Sequence, residues 1–195
     1  MSDLNNETNN NEVLNEVPDV KKELLSEAFS WGKTILFAVA FALLFNRLVI
    51  VNATVPSASM ESTIRTNDRI IAFRLSYVFS DPARFDIVVF PSPDRPDQLN
   101  VKRVIGLPGE TLNIVDGKVY INDNPTPLRD DFVQGEIRDN FGPFEIPDGY
   151  FFVLGDYRTN SRDSRGWNNP YVYRGAIMGR VVFRYFPGFR SLRNT

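Results

Sequence analysis

The feature that most constrains this 195-residue chain is a run of 13 uncharged residues near its N-terminus, Thr34 to Asn46 (TILFAVAFALLFN). At 1.5 Å per helical residue the run alone is about 20 Å long, short of the roughly 30 Å hydrocarbon core of a bilayer. Lys33 and Arg47 bracket it. If their charged heads snorkel to opposite interfaces, the stretch grows to 28–51 and is long enough to span. Three readings compete: a membrane span, the core helix of a soluble domain, and a cleaved secretory signal. Trp31 and the flanking cations stand where interfacial anchors belong, which favours the span. Val51-Asn52-Ala53 resembles a small-residue cleavage site, but the acidic segment ahead of the run is a poor start for a secretory signal. Lys21, Lys22 and Lys33 precede the span and Arg47 and Arg65 follow it, a bias that puts the N-terminus inside the cell.

Around this anchor the chain divides into three parts. Residues 1–20 are rich in Asn and Glu and hold no aromatic side chain. Such a segment cannot offset its ordering entropy and is expected to be a disordered cytoplasmic tail. Residues 21–52 are expected to form the helical anchor. From 53 to 195 the apolar pattern changes to period two. Strands are expected over Arg69–Arg74, Phe85–Phe90, Val101–Ile105, Thr111–Val115, Lys118–Ile121, Tyr150–Leu154 and Gly179–Tyr185. Asp116-Gly117 between two of them is a strong signal for a two-residue hairpin. Residues 122–148 are polar and carry prolines, and read as an excursion from the main sheet. The fold class is therefore all-β: an antiparallel body, either sheets folded on one another or a barrel, with one N-terminal transmembrane helix.

Composition narrows the chemistry. The chain has no Cys and no His, which removes thiol nucleophiles, disulfides, Cys/His zinc sites and a Ser-His-Asp triad. With 22 basic and 24 acidic residues there is no cationic surplus to suggest nucleic acid. A hydrolase of this composition must find its base in Lys, Asp, Glu or a chain amine. Of five lysines only Lys102 and Lys118 lie in the body. Lys118 follows the Asp116-Gly117 turn and is expected in water. Lys102 stands among Val101, Val104 and Ile105, where burial would lower its pKa toward the range of a neutral-pH base. Equally, it could point out of a one-sided sheet.

Val55-Pro56-Ser57-Ala58-Ser59-Met60 offers two serines two residues apart, on one side of an extended chain. One could attack a carbonyl while the other donates its hydroxyl to the developing oxyanion. Gly155 to Trp167 (GDYRTNSRDSRGW) packs hydroxyls, two acids and three arginines behind an apolar strand. This is either a solvated loop or a hydrogen-bonded frame that steers a neighbouring catalytic group.

The segments Pro56–Met60, Phe85–Phe90, Val101–Glu110 (VKRVIGLPGE) and Gly155–Arg165, in this order, strongly resemble the type I signal peptidase family. The resemblance runs from the anchor to about Pro187, and the compact size with one anchor looks most like the Gram-positive form. It implies a membrane-bound serine endopeptidase with a Ser-Lys dyad that uses no metal or other cofactor. Its partners would be the lipid bilayer and secretory preproteins cut after small residues in Ala-X-Ala-like contexts. The implied location is the cytoplasmic membrane, single-pass, N-terminus inside and catalytic domain on the outer face. Position by position, the resemblance makes Ser59 the nucleophile and Lys102 the general base. It pairs the Ser57 hydroxyl with the Ser59 backbone N–H as the oxyanion hole. Ser161 would orient the lysine, and Asp163 and Arg165 would form a structural ion pair with Arg103 nearby. Ala58 stands where the family usually has Gly, Tyr157 where Asn is common, and Asn168 where Gly is expected. None of these touches the dyad. Two rivals are weaker. The Ser-Lys self-cleaving repressors would carry a DNA-binding helix-turn-helix in place of the apolar run, and a non-catalytic binding protein on this scaffold would not need both Ser59 and Lys102.

Overall fold

A computed structural model describes residues 20–192 of the chain. The expected tail lies outside the described residues, apart from Val20, which opens helix α1 (Val20–Val49). The helix carries no proline and one glycine, Gly32. Its segment Leu24–Val49, with mean hydropathy 1.8, is long and apolar enough to cross a membrane. Large side chains such as Leu36, Phe37 and Leu43 are exposed along it. A helix apolar all round and uncovered by protein is unlike the one-sided helices of soluble domains. The anchor expected to reach Asn52 stops at Val49. Ile50, Val51 and Asn52 pair instead with Phe73, Ala72 and Ile71, as suits a β-branched run. Among the described residues, those up to Phe45 form one compact unit and those from Asn46 another.

The body is built of antiparallel strands. A main sheet runs in the order β1 (Ile50–Thr54), β2 (Arg69–Phe73), β10 (Gly179–Phe186), β3 (Ile87–Pro91), β4 (Leu99–Gly106), β8 (Tyr150–Leu154), β9 (Val172–Tyr173), and β11 (Arg190–Ser191) pairs with β10. A smaller sheet has the order β6 (Lys118–Ile121), β5 (Thr111–Val115), β7 (Phe141–Glu145). The β5–β6 hairpin closes on Asp116 and Gly117, with φ of 49° and 76°. Both central residues of a type I′ turn need positive φ, which is why Asp-Gly serves here.

Two expectations are corrected. The strand expected from Phe85 begins at Ile87, because Phe85 has φ 72° and no strand continues through that conformation. The 122–148 excursion is not wholly irregular: Phe141–Glu145 forms β7 and pairs with β5. It stays off the main sheet, as expected.

Both faces of the central strands are covered, so β3 is apolar at consecutive positions rather than alternating. Ile87 and Val89 pack with Ile70, Val101 and Val181 in one core. Val88 and Phe90 pack with Phe151, Val153 and Trp167 in another. A third core joins Ile105, Phe152 and Leu154 of the main sheet to Leu112 and Ile114 of the small one. Lys102 lies opposite Val88 on β3 and two residues from Val104, so it shares the face of the second core.

Candidate active site

Three chain segments meet around Lys102. It occupies β4, where β8 pairs only from Arg103 onward. The turn Ala58–Met60 packs against β4 and against the turn Arg158–Asn160 that follows β8. Lys102 is 3% exposed, so the reading of a solvent-facing lysine does not hold. Its Nζ donates to Ser161 Oγ at 3.2 Å. Burial is the largest cause drawing its pKa from 10.5 down to about 8. The Arg165 charge pushes the same way, while Asp163 and Asp156 oppose it. Lys118, the other lysine of the body, is exposed on its hairpin.

Ser59 is buried and Ser57 exposed. Their hydroxyl oxygens lie 3.3 Å apart, but not because the chain is extended as the sequence pattern suggests. Ser57 has extended dihedrals of −139° and 158°, and Ala58–Met60 then closes a 3-10 turn. The turn, rather than the alternation of a strand, brings the two oxygens together. Among the described residues no hydrogen bond joins Ser59 to Lys102. Ser161 holds the amine and Ser57 lies beside Ser59 Oγ. Catalytic hydrogen bonds are often open until substrate arrives.

Asp163 and Arg165 form a two-pronged ion pair, Nε to Oδ1 and Nη2 to Oδ2, both 2.8 Å. Asp163 also accepts the Gly155 N–H at 3.0 Å, and Arg165 Nη2 donates to Arg158 O at 2.8 Å. Two carboxylate oxygens thereby pin both ends of the turn that carries Ser161. Arg103 does not join this pair. Its Nε and Nη2 donate to Asp156 Oδ1 and Oδ2 at 2.8 and 2.7 Å. Nη1 donates to Phe85 O at 3.0 Å, and the guanidinium stacks 4.1 Å from the Phe132 ring centroid. Thr63 Oγ1 donates to Asp156 Oδ2 at 2.6 Å and accepts from Arg103 Nη2 at 3.3 Å. Asp156, Thr63 and Phe132 were not singled out from sequence. Asp156 directly after Gly155, at the end of an apolar strand, was the available signal. Among the described residues no group of acids is placed to hold a metal ion.

Gly155 sets how closely these pieces approach. A Cβ there would lie 2.2 Å from Ser161 Oγ and 2.5 Å from Ser59 O, distances that no methyl group tolerates. Tyr157 N donates to Ser59 O at 3.0 Å, so the turn that carries Ser59 rests directly on the Gly155–Tyr157 backbone.

A buried serine and a buried lysine with a lowered pKa, tied through one turn, are the parts of a serine peptidase that dispenses with histidine. Residues 28–186 match the family model described as signal peptidase, peptidase S26. The chain belongs to that family. It is 41% identical to a signal peptidase I of Leptolyngbya laminosa, over 80% of this chain and 78% of that one. It is 37% identical to a probable signal peptidase I-2 of a Synechocystis strain, over 80% and 72%. Signal peptidase I S of Bacillus subtilis is 33% identical over 90% of this chain and 95% of its own. The protein is thus a serine endopeptidase of the S26 family.

Gly155→Ala tests the close approach. The methyl must displace Ser161 or the Ser59 carbonyl, and we expect peptide hydrolysis to fall by at least tenfold while the melting temperature drops by only a few degrees. Gly149→Ala, where a Cβ meets nothing within 4 Å but φ is 75°, controls for the loss of a glycine as such. Undiminished hydrolysis by Gly155→Ala would show that the packing does not matter to the reaction.

Proposed function

We propose that this peptidase removes N-terminal signal peptides from exported preproteins with Ser59 as nucleophile and Lys102 as base. Neutral Lys102 takes the Ser59 hydroxyl proton as Oγ adds to the scissile carbonyl. The Ser59 backbone N–H and the Ser57 hydroxyl receive the developing oxyanion. The Lys102 ammonium then returns its proton to the leaving amine. Water attacks the acyl ester, gives a proton to Lys102, and Ser59 is restored. Ser161 positions the amine, and Asp163 with Arg165 holds the turn that carries Ser161. The observation that carries the reading is a lysine 3% exposed and hydrogen-bonded to a serine hydroxyl. A charged amine in that position is costly, and a neutral one is a base.

The substrate lies extended along β4. From Leu99 to Lys102 this strand pairs with β3 alone, leaving an edge that a peptide strand can complete up to the dyad. The residue before the cut is small. Residues 21–49 anchor the enzyme in the cytoplasmic membrane in a single pass, with the N-terminus inside and 53–195 as the catalytic domain on the outer face. The apolar length of the helix and the lysines ahead of it support this orientation.

Lys102→Arg keeps the charge but not the titration, since guanidinium stays protonated at usable pH. We expect a folded variant whose cleavage of preprotein falls by about 10²–10⁴-fold, while Lys118→Arg cleaves like the parent. Retained activity in Lys102→Arg would exclude the dyad. In the parent, kcat/KM should climb about tenfold per pH unit below about 8 and level off above it, because only the neutral amine is competent. The stability linkage has the same sign. Between about 8 and 10.5 the unfolded chain holds a proton that the folded chain lacks, so stability increases with pH by roughly 3 kcal/mol across that window.

Specificity and topology have separate checks. Replacing Ala before the cut by Trp in a preprotein should abolish processing; unchanged processing would exclude a narrow pocket. Protease added to intact spheroplasts should digest the body, whereas full protection would reverse the proposed orientation.

A further inference from the structure

Three guanidinium groups gather behind the site, and two buried carboxylates answer them. Asp156 is paired with Arg103 through both oxygens, and Asp163 likewise with Arg165. Arg158 has no carboxylate hydrogen-bonded to it, although Asp163, Asp156 and Asp130 attract it through space. Its Nε donates to Gly155 O at 3.1 Å, and among the described residues no acceptor meets Nη1 or Nη2. The residue is nevertheless only 6% exposed. The Nη atoms are not sealed from solvent, so they remain open to an acceptor that enters from outside. Burial, with the Arg165 charge beside it, draws its pKa down to about 10.

Arg158 lines a cleft of about 480 Å³. Asp116 and Lys118 of the β5–β6 hairpin line another part of it, and Asp130, Glu136 and Arg138 of the 122–148 excursion a third. Glu136 and Arg138 are nearly fully exposed and face each other at 3.7 Å, so they exert little pull on a ligand. The buried, fork-shaped donor is Arg158, and a carboxylate is the acceptor that matches two free Nη groups in one plane.

The cleft's place along the chain suggests whose carboxylate this is. A peptide on the β4 edge advances from Leu99 to Lys102 and cannot continue in the sheet, because β8 occupies the edge from Arg103. Beyond the dyad it must turn past residues 155–160, where the backbone of Tyr157 already touches Ser59 O. Arg158 is the next residue.

We infer that the Arg158 cleft is a subsite for an acidic side chain of the substrate, a few residues downstream of the cut. The inference rests on the peptidase reading above. The enzyme would thus read small residues before the bond and a carboxylate after it.

The test uses the detergent-solubilised full chain and peptides that span a cleavage site. Each peptide carries a single Glu or Gln at one of the first few positions after the cut. In the parent, one position should show kcat/KM about tenfold higher for Glu than for Gln, equivalent to about 1.4 kcal/mol. Arg158→Gln should bring that ratio to about one. Because Arg158 also holds Gly155 O, its absolute rate can fall, so the ratio within each enzyme is the readout. Lys118→Glu makes no contact with the turn and puts a repelling charge on the cleft, which should lower the ratio to about threefold. A ratio of one at every position in the parent would overturn the inference, as would a tenfold ratio that survives Arg158→Gln. Cleavage of the Gln peptides that depends on Lys102 establishes the peptidase reading by itself, so the two can fail separately.

Discussion

The site depends on the ion pair between Arg103 and Asp156, whose side chains are 0% and 1% exposed. It joins β4, the end of β8, the segment after the Ser59 turn and the 122–148 excursion, through Asp156, Thr63, Phe85 O and Phe132. Removing one member of a buried pair strands the other charge, at a typical cost of about 3–5 kcal/mol. The pair also settles an electrostatic problem for its neighbour. Asp156 tends to keep Lys102 protonated, but both of its oxygens are already engaged by Arg103. Adjacent residues of one strand thus divide two tasks. Arginine holds a permanent charge against its carboxylate, and lysine, with no carboxylate bonded to its amine, is free to give up its own.

Much of this was legible in the sequence because local rules and burial agree. Thr111–Val115 and Lys118–Ile121 alternate cleanly, and Asp-Gly names its own turn. Tyr150–Leu154 is a short continuous apolar run, as a strand covered on both faces should be. The β-strand Phe141–Glu145 (FGPFE) escaped because Gly and Pro mask it and most of it is exposed. The strand Ile50–Thr54 escaped because nothing in its apolar residues separates it from the helix it continues; only pairing with β2 does. Phe85 looks like a strand residue, and its positive φ comes with a backbone carbonyl turned to Arg103.

The site was legible in part. Ser57, Ser59, Lys102 and Ser161 stand out by type and order, and the family resemblance sorted their roles. The resemblance pointed to the Asp163–Arg165 pair, but that Arg103 pairs with Asp156 was not readable, since the two lie 53 residues apart. Tertiary geometry selects that pairing. Nor does sequence reveal that Gly155 must be bare, which follows from two atoms, Ser161 Oγ and Ser59 O, that reach it from different directions.

The order of strands has a consequence for when this protein becomes whole. Ser59 lies between β1 and β2, which pair with each other, and Lys102 lies on β4, which pairs with β3. These two hairpins share no ladder of their own. The strand that joins them is β10, hydrogen-bonded to β2 on one side and β3 on the other, and it lies far downstream of both hairpins in the chain. Contacts so distant in sequence form late and slowly. A ribosome therefore makes all of β1 to β4 well before β10 is there to join the hairpin that carries the two serines to the one that carries the lysine.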